Sequence, residues 1–351
     1  MAALTTMNRH VLSHAAGAFA LIFALNACDK TDAPAVAESQ PAAPAVVKSQ
    51  PAAPAAESVP AAEAPAAPVK PQDPVFAVAP VELNGFGSDE PAERKDEPKR
   101  GVIVIKPTDI KRMEAQHWEQ FDCTAFSTKR WGRYQVRVTY TLKHASLGTQ
   151  FRFGQQPLKK TLLASSQPKR VVYGDVYVEN PGAYPFVLYI ASTGVESGFE
   201  LHEVAFVPAA EGPAPKQAED GSIVLEANSA TTWSETMRYE PKPEKNCLGY
   251  WTSEDDFAEW QFEVVKPGRY KVTVVHGCGT GNEGSEVAVK LGTQELKFTT
   301  KDTGGFQNWQ EAQVGEIEIN SGGLQRLVID PVNKVSKAVL DVQKILLTPV
   351  S

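Results

Sequence analysis

The chain of 351 residues holds only four cysteines and six histidines. His10, His14, His117, His144, His202 and His276 lack partners at metal-ligand spacing, which argues against zinc. The net charge of −7 supplies no basic surface for phosphates, so nucleic acid is not an expected partner. No apolar run reaches the roughly 20 residues that a membrane-spanning helix needs. No G-x-S-x-G nucleophile elbow occurs, and no segment after residue 100 carries a helical period. A globular portion dominated by strands is left.

What is present begins with a polar segment, residues 1–14, that carries Arg9 and no acid. A short apolar run, Ala15 to Leu25, follows and fits the hydrophobic region of a secretory signal. It ends Leu25-Asn26-Ala27-Cys28, which resembles the bacterial lipobox. That resemblance implies a signal peptide over 1–27, lipid on Cys28, and a membrane as partner. Two or three acyl chains, at roughly 0.8 kcal/mol per buried methylene, anchor stably. The place implied is the cell envelope, on the periplasmic face of the inner membrane or on the outer membrane. Asp29 resembles an inner-membrane retention signal.

Residues 28–100 are dominated by Ala and Pro, and Ser39-Gln40-Pro41-Ala42-Ala43-Pro44-Ala45 returns at Ser49 to Ala55. Proline fixes φ and removes donors, and few large apolar groups are available for burial, so a disordered linker is expected. At about 3.1 Å per residue such a tether can reach on the order of 200 Å.

The rest alternates with period two. Trp260-Gln261-Phe262-Glu263-Val264, Tyr270-Lys271-Val272-Thr273-Val274 and Val287-Ala288-Val289-Lys290-Leu291 set apolar residues against polar ones. Short strands with frequent turns predict an all-β chain of sandwich type. The pattern also repeats. Phe126 to Val138 aligns with Phe262 to Val274, Phe153 to Leu158 with Leu291 to Leu296, and Phe199-Glu200-Leu201 with Leu340-Asp341-Val342. Self-similarity at a domain-sized period predicts two tandem sandwiches, a degenerate one over 101–208 and another over 221–351, joined by a linker at 209–220.

Residues 222–350 resemble the galactose-binding-like, carbohydrate-binding jelly rolls appended to bacterial α-L-fucosidases and arylsulfatases. The stretches that carry the resemblance include Val224-Leu225-Glu226-Ala227, Gly249-Tyr250-Trp251-Thr252, Asp256 to Phe262, Pro267-Gly268-Arg269-Tyr270 and Asp302 to Trp309. The first domain lacks a counterpart to Ser234–Trp251. The resemblance implies binding of a polysaccharide or glycan without catalysis, in loops gathered near one end. Flat rings cover C–H faces of a sugar while amides orient its hydroxyls. Tyr250, Trp251, Gln307, Asn308 and Trp309 are the candidates, with Trp251 and Trp309 equally readable as core. The resemblance further implies a structural calcium between first and last strands, held by Glu226 and Asp341.

With Cys28 assigned to lipid, Cys247 and Cys278 flank the loops of the second sandwich and are the expected disulfide; Cys123 is then free. Gly279-Thr280-Gly281-Asn282-Glu283-Gly284 fits G-x-G-x-x-G, but a strand follows it, so it reads as a loop. Glu254-Asp255-Asp256 reads as a turn rather than a catalytic carboxylate pair. The alternatives to a sugar-binding lipoprotein are a structural or protein-binding one, and an accessory part of a glycoside hydrolase or sulfatase system.

Overall fold

The computed structural model describes residues 97–115, 118–191 and 198–350. Cys28 and the Ala/Pro-rich segment up to residue 96 lie outside them. The described chain is all-β, and both sandwiches fall within one compact unit, Glu82–Ser351.

The first sandwich is built from β1 (Ile103–Ile105), β2 (Lys111–Ala115), β3 (Trp118–Thr128), β4 (Gly132–Phe153), β5 (Gln156–Val178), β6 (Gly182–Ala191) and β7 (Phe199–Pro208). β4 and β5 are long enough to serve both layers. The first half of β4 pairs with β7 and the end of β5; its second half pairs with β6 and the start of β5. β3 continues the second layer between β6 and β2, and β1 edges the first beside β7. Between the layers lie Val136, Val138, Tyr140, Phe151, Phe186, Leu188 and Phe206. Phe126 and Phe206 pack with ring centroids 4.3 Å apart.

The second sandwich comprises β8 (Ile223–Glu226), β9 (Thr231–Trp233), β10 (Arg238–Glu240), β11 (Cys247–Gly249), β12 (Phe257–Val264), β13 (Gly268–Cys278), β14 (Glu286–Leu291), β15 (Gln294–Thr299), β16 (Gly305–Ile319), β17 (Gly323–Pro331) and β18 (Asp341–Pro349). One sheet runs β10-β11-β18-β13-β16, with β8 also on β18; the other runs β15-β14-β17-β12-β9. The strand pairings match those of the first sandwich. β13 and β14 together do what β4 does alone, and β15 and β16 do what β5 does. β10 and β11 have no equivalent, which is the Ser234–Trp251 insertion.

At the corner from β3 to β4, and again from β12 to β13, the chain passes from one layer to the other. Gly132 and Gly268 start the new strands at φ of 124° and 155°, and Tyr134 and Tyr270 follow, both buried. A glycine tolerates the left-handed φ of the first without a Cβ clash.

The two sandwiches meet in a packed seam. The buried Arg130 guanidinium donates to the Thr232 hydroxyl and to the Met237 carbonyl (3.3 Å), and to Tyr134 Oη at 3.0 Å. Trp131 Nε1 donates to the Tyr239 carbonyl at 3.0 Å. Arg100 pairs with the fully buried Asp256 at 2.8 Å. Ala205 and Val207 pack on Trp233. Gly101 runs so close to Ser234 that a Cβ would lie 2.2 Å from its carbonyl oxygen, so this crossing needs glycine. Burial pushes the Glu211 carboxyl up to about 7, against the pull of Arg130 and Arg133. The expected linker 209–220 is itself tied down: Gln217 accepts from the Val265 and Lys266 amides and donates to Tyr270 Oη at 2.7 Å.

Candidate ligand-binding site

The candidate residues converge on one end of the β10-β11-β18-β13-β16 sheet. Antiparallel pairing places the end of β11, the start of β18, the end of β13 and the start of β16 there. Asp341 opens β18. Opposite it on β13 is Gly277, and Gly249 of β11 comes within 3.5 Å of its Oδ1 when given a Cβ. The two glycines leave a trough over the sheet. Other groups fill it: a Cβ on Gly249 would lie 2.5 Å from Glu240 Oε2, and one on Gly277 would lie 2.0 Å from the Phe306 carbonyl oxygen.

Glu240, Cys247 and Asp341 therefore share a buried polar cluster, with ligand atoms within 4.8 Å of one another. The Cys247 thiol donates to Asp341 Oδ2 at 3.7 Å, and Gln307 Nε2 donates to the same oxygen at 3.0 Å. Lys245 closes the other side by donating to Glu240 Oε1 at 2.7 Å. One ammonium faces two carboxyls. Burial first, and the Glu240 charge second, push Asp341 up to about 7. Burial and both carboxyls push the Cys247 thiol far above the usual range, which keeps it protonated and inert as a nucleophile.

Tyr250 follows β11 with φ of +60°, a left-handed conformation that costs a side-chain-bearing residue about 1–2 kcal/mol. Tyr250 is 45% exposed, and its ring lies against the Arg238 guanidinium, 3.4 Å from the ring centroid. Trp131 of the first sandwich takes the same guanidinium at 3.5 Å. Such stacking stabilises by about 1–2 kcal/mol when partly desolvated. The left-handed step also reverses the next side chain. Trp251 is 1% exposed and donates its indole N–H to the Asp256 carbonyl at 3.0 Å. The expected aromatic pair is thus divided, and Trp251 is core. Gln307 and Asn308 are exposed on β16, and Trp309 is half-buried. Two strands separate β16 from β11, so Tyr250 and Trp309 stand about 14 Å apart in the sheet direction.

Two further expectations are corrected. Cys247 and Cys278 are both free thiols. β18 runs between their strands, which by itself separates them by roughly 10 Å or more, beyond the about 7 Å that a disulfide bridges. Glu226 is not beside Asp341: it pairs with Lys344, three residues farther along β18, or about 10 Å. The acid that meets Asp341 is Glu240, from the insertion. Calcium wants six to eight oxygens, and a thiol in third place suits it poorly, so neither grouping fits the expected calcium site. The loop 279–284 enters a strand and not a helix, and Asp256 of the acidic turn is bonded by Arg100 and the Ser234 hydroxyl.

Residues 225–351 match a protein family described as a domain of unknown function, DUF5077. No curated protein matches the chain. Among solved structures, the chain is similar to the C-terminal CBM6 of LamC, a marine laminarinase from Zobellia galactanivorans, at 18% identity and a TM-score of 0.30, covering 36% of this chain and 98% of that one. A family 35 carbohydrate binding module from Clostridium thermocellum matches at 13% identity and a TM-score of 0.30, over 37% of this chain and 98% of the other. An α-L-fucosidase from Vibrio sp. strain EJY3 matches at 11% and 0.25, and only 39% of its length is covered. Scores this low leave the architecture to rest on the strand pairing described above.

Proposed function

We propose that the chain is a lipid-anchored envelope protein whose C-terminal jelly roll holds a glycan without catalysing its cleavage. One observation carries the reading: an exposed Tyr250 ring and the Gln307 and Asn308 amides stand at the same sheet end as the Asp341 carboxyl. A ring face and amides are groups that order a sugar's C–H faces and hydroxyls, and Asp341 holds the Gln307 amide in place. The lipobox-like ending at Cys28 supports the anchor. Non-catalytic action is supported by the two chemistries that the site lacks means for: Cys247 is held as a thiol, and Asp256 is bonded into the seam.

The test is a glycan array with the full chain, with and without a chelator. Retention of one glycan class, lost in Tyr250→Ala and Gln307→Ala, is expected. Binding to no glycan would overturn the reading. Chelation is expected to leave binding unchanged. Cys28→Ala is expected to move the protein from the membrane fraction to the soluble one.

A second reading, a structural or protein-binding sandwich, draws support from the Arg238 stack. One face of Tyr250 is already covered, and Trp251 is withdrawn into the core. Unchanged array profiles in Tyr250→Ala would favour it. The role of accessory part in a glycoside hydrolase or sulfatase system rests on the sequence resemblance alone.

A further inference from the structure

The outer face of the first sandwich's second layer carries a surface that the C-terminal reading does not use. The order across it is β5-β4-β6-β3-β2, and the register lines up Lys159, Gln150, Tyr189, Gln120 and Met113 in one row. The next row is Pro157, Arg152, Val187, Asp122 and Lys111. Alternate residues on the same strands, Phe121, Phe151, Leu188 and Ile190, are buried in the core. Side chains alternate between faces, so both rows stand on the outer side.

That face holds aromatics where solvent favours charge. Trp118, next along β3 from Gln120, is 40% exposed and meets Tyr189 edge-on, with centroids 6.2 Å apart. The Arg152 guanidinium lies 5.4 Å from the centroid of the Tyr189 ring. Gln120 donates to Asp122, which fixes its amide. Two rings set edge to face, two glutamines and a guanidinium therefore share one patch of the face. Lys111, Arg152 and Lys159 outnumber Asp122 on a chain of net charge −7. The platform is locally cationic on an acidic protein.

The equivalent face of the second sandwich, β15-β14-β17-β12, shows what this fold does with an idle surface. There Lys290 pairs with Asp330 (2.9 Å) and Glu295 (3.7 Å), Lys297 with Glu286 (3.5 Å) and Glu295 (3.2 Å), and Arg326 with Glu259 (3.6 Å). Charges are matched one against another, and the one ring in phase with them, Phe257 of β12, is packed against Trp233 in the seam. Among the described residues, Trp118 and Tyr189 have no partner of that kind and no core to fill.

We propose that the outer face of the β5-β4-β6-β3-β2 layer binds an acidic polysaccharide, stacking a sugar ring on Trp118, which Tyr189 props edge-on, and pairing its carboxylate or sulfate with Arg152. An aromatic face takes the C–H side of the ring, the glutamine amides take hydroxyls, and the guanidinium fork matches a planar carboxylate or a sulfate. The site lies on the first sandwich and is independent of the C-terminal one.

Native affinity gels with the full chain test it, using polygalacturonate for carboxylate, dextran sulfate for sulfate, and plain dextran as the uncharged control. Retardation by at least one charged polymer and not by dextran is expected. Trp118→Ala, Tyr189→Ala and Arg152→Gln should each weaken it at least tenfold, with melting temperatures close to the parent's. Arg152→Lys, which keeps the charge and loses the planar fork, should fall between. Tyr250→Ala and Gln307→Ala should leave this binding intact, so failure of the C-terminal reading does not touch it. The proposal is overturned if neither charged polymer retards the chain. It is equally overturned if Trp118→Ala and Tyr189→Ala bind as the parent does, because ionic attraction alone then accounts for retention.

Discussion

The two sandwiches share one pairing scheme and differ in how the chain turns its corners. In the first, β4 and β5 run unbroken through both layers. In the second, the same paths are cut by the loops 279–285 and 300–304, and a further segment supplies β10 and β11. Those interruptions deliver Phe306, Gln307, Glu240 and Cys247 to Asp341. The comparison teaches that in this fold a loop-end site is made by breaking strands, whereas an unbroken strand leaves only its flat face for recognition.

The largest test of that difference is Trp251→Ala. The indole fills the space behind the inserted segment, and its removal should cost about 3–5 kcal/mol, read as a large drop in the urea midpoint. A change below about 1 kcal/mol would mean that the insertion is not anchored through the core.

The next concerns pH. Asp341 and Glu211 are each pushed up to about 7, above the ordinary unfolded values near 4. The folded state therefore holds protons that the unfolded chain has released. Their stabilisation is full below about pH 4 and is lost as pH rises through about 7, by at most about 4 kcal/mol for each group. Stability measured from pH 4 to 8 should fall. Asp341→Asn should remove the share belonging to the trough, and Glu211→Gln the share belonging to the seam. A flat parent profile would contradict both assignments.

Arg130→Met tests whether the sandwiches unfold together. Losing the charge-assisted bonds to Thr232 and Met237 should cost about 2 kcal/mol and broaden or divide the thermal transition. Retention of one sharp transition would show that the seam's apolar contacts suffice. The smallest effect is expected from Lys290→Ala in the ion-pair lattice, under about 1 kcal/mol at low salt and less at high salt, since such pairs are partly exposed.

The sandwich architecture was readable because period two reports directly which side chains enter a core, and the Phe126 and Phe262 segments carry the same corner. The site was readable only in part. Tyr250 and Gln307 are expected from the sequence in loops, and the structure leaves both exposed at one sheet end, Gln307 on β16. Trp251 was not placed, because a left-handed residue before it reverses the alternation, and no sequence pattern announces positive φ at a tyrosine. The cysteine pairing failed because the strand that separates Cys247 from Cys278 begins at Asp341, far along the chain. Glu240 was missed because it lies in the one segment without a repeat to compare. The Trp118 face has a signature in the sequence: Trp118 falls in phase with Gln120 and Asp122, and out of phase with Phe121 and Cys123.

The unbroken β4–β5 ribbon bears on the order in which the molecule assembles. Its turn at Gly154 brings neighbours in sequence together first, and each later pair closes only a short additional loop. Contacts of that kind form early, while those of β1 with β7 or β8 with β18 must wait for about a hundred residues to be gathered. A ribbon that closes on its own gives the first sandwich a local nucleus. The second keeps only the short β14–β15 hairpin of that ribbon, since the loops that form its site separate β13 from β14 and β15 from β16.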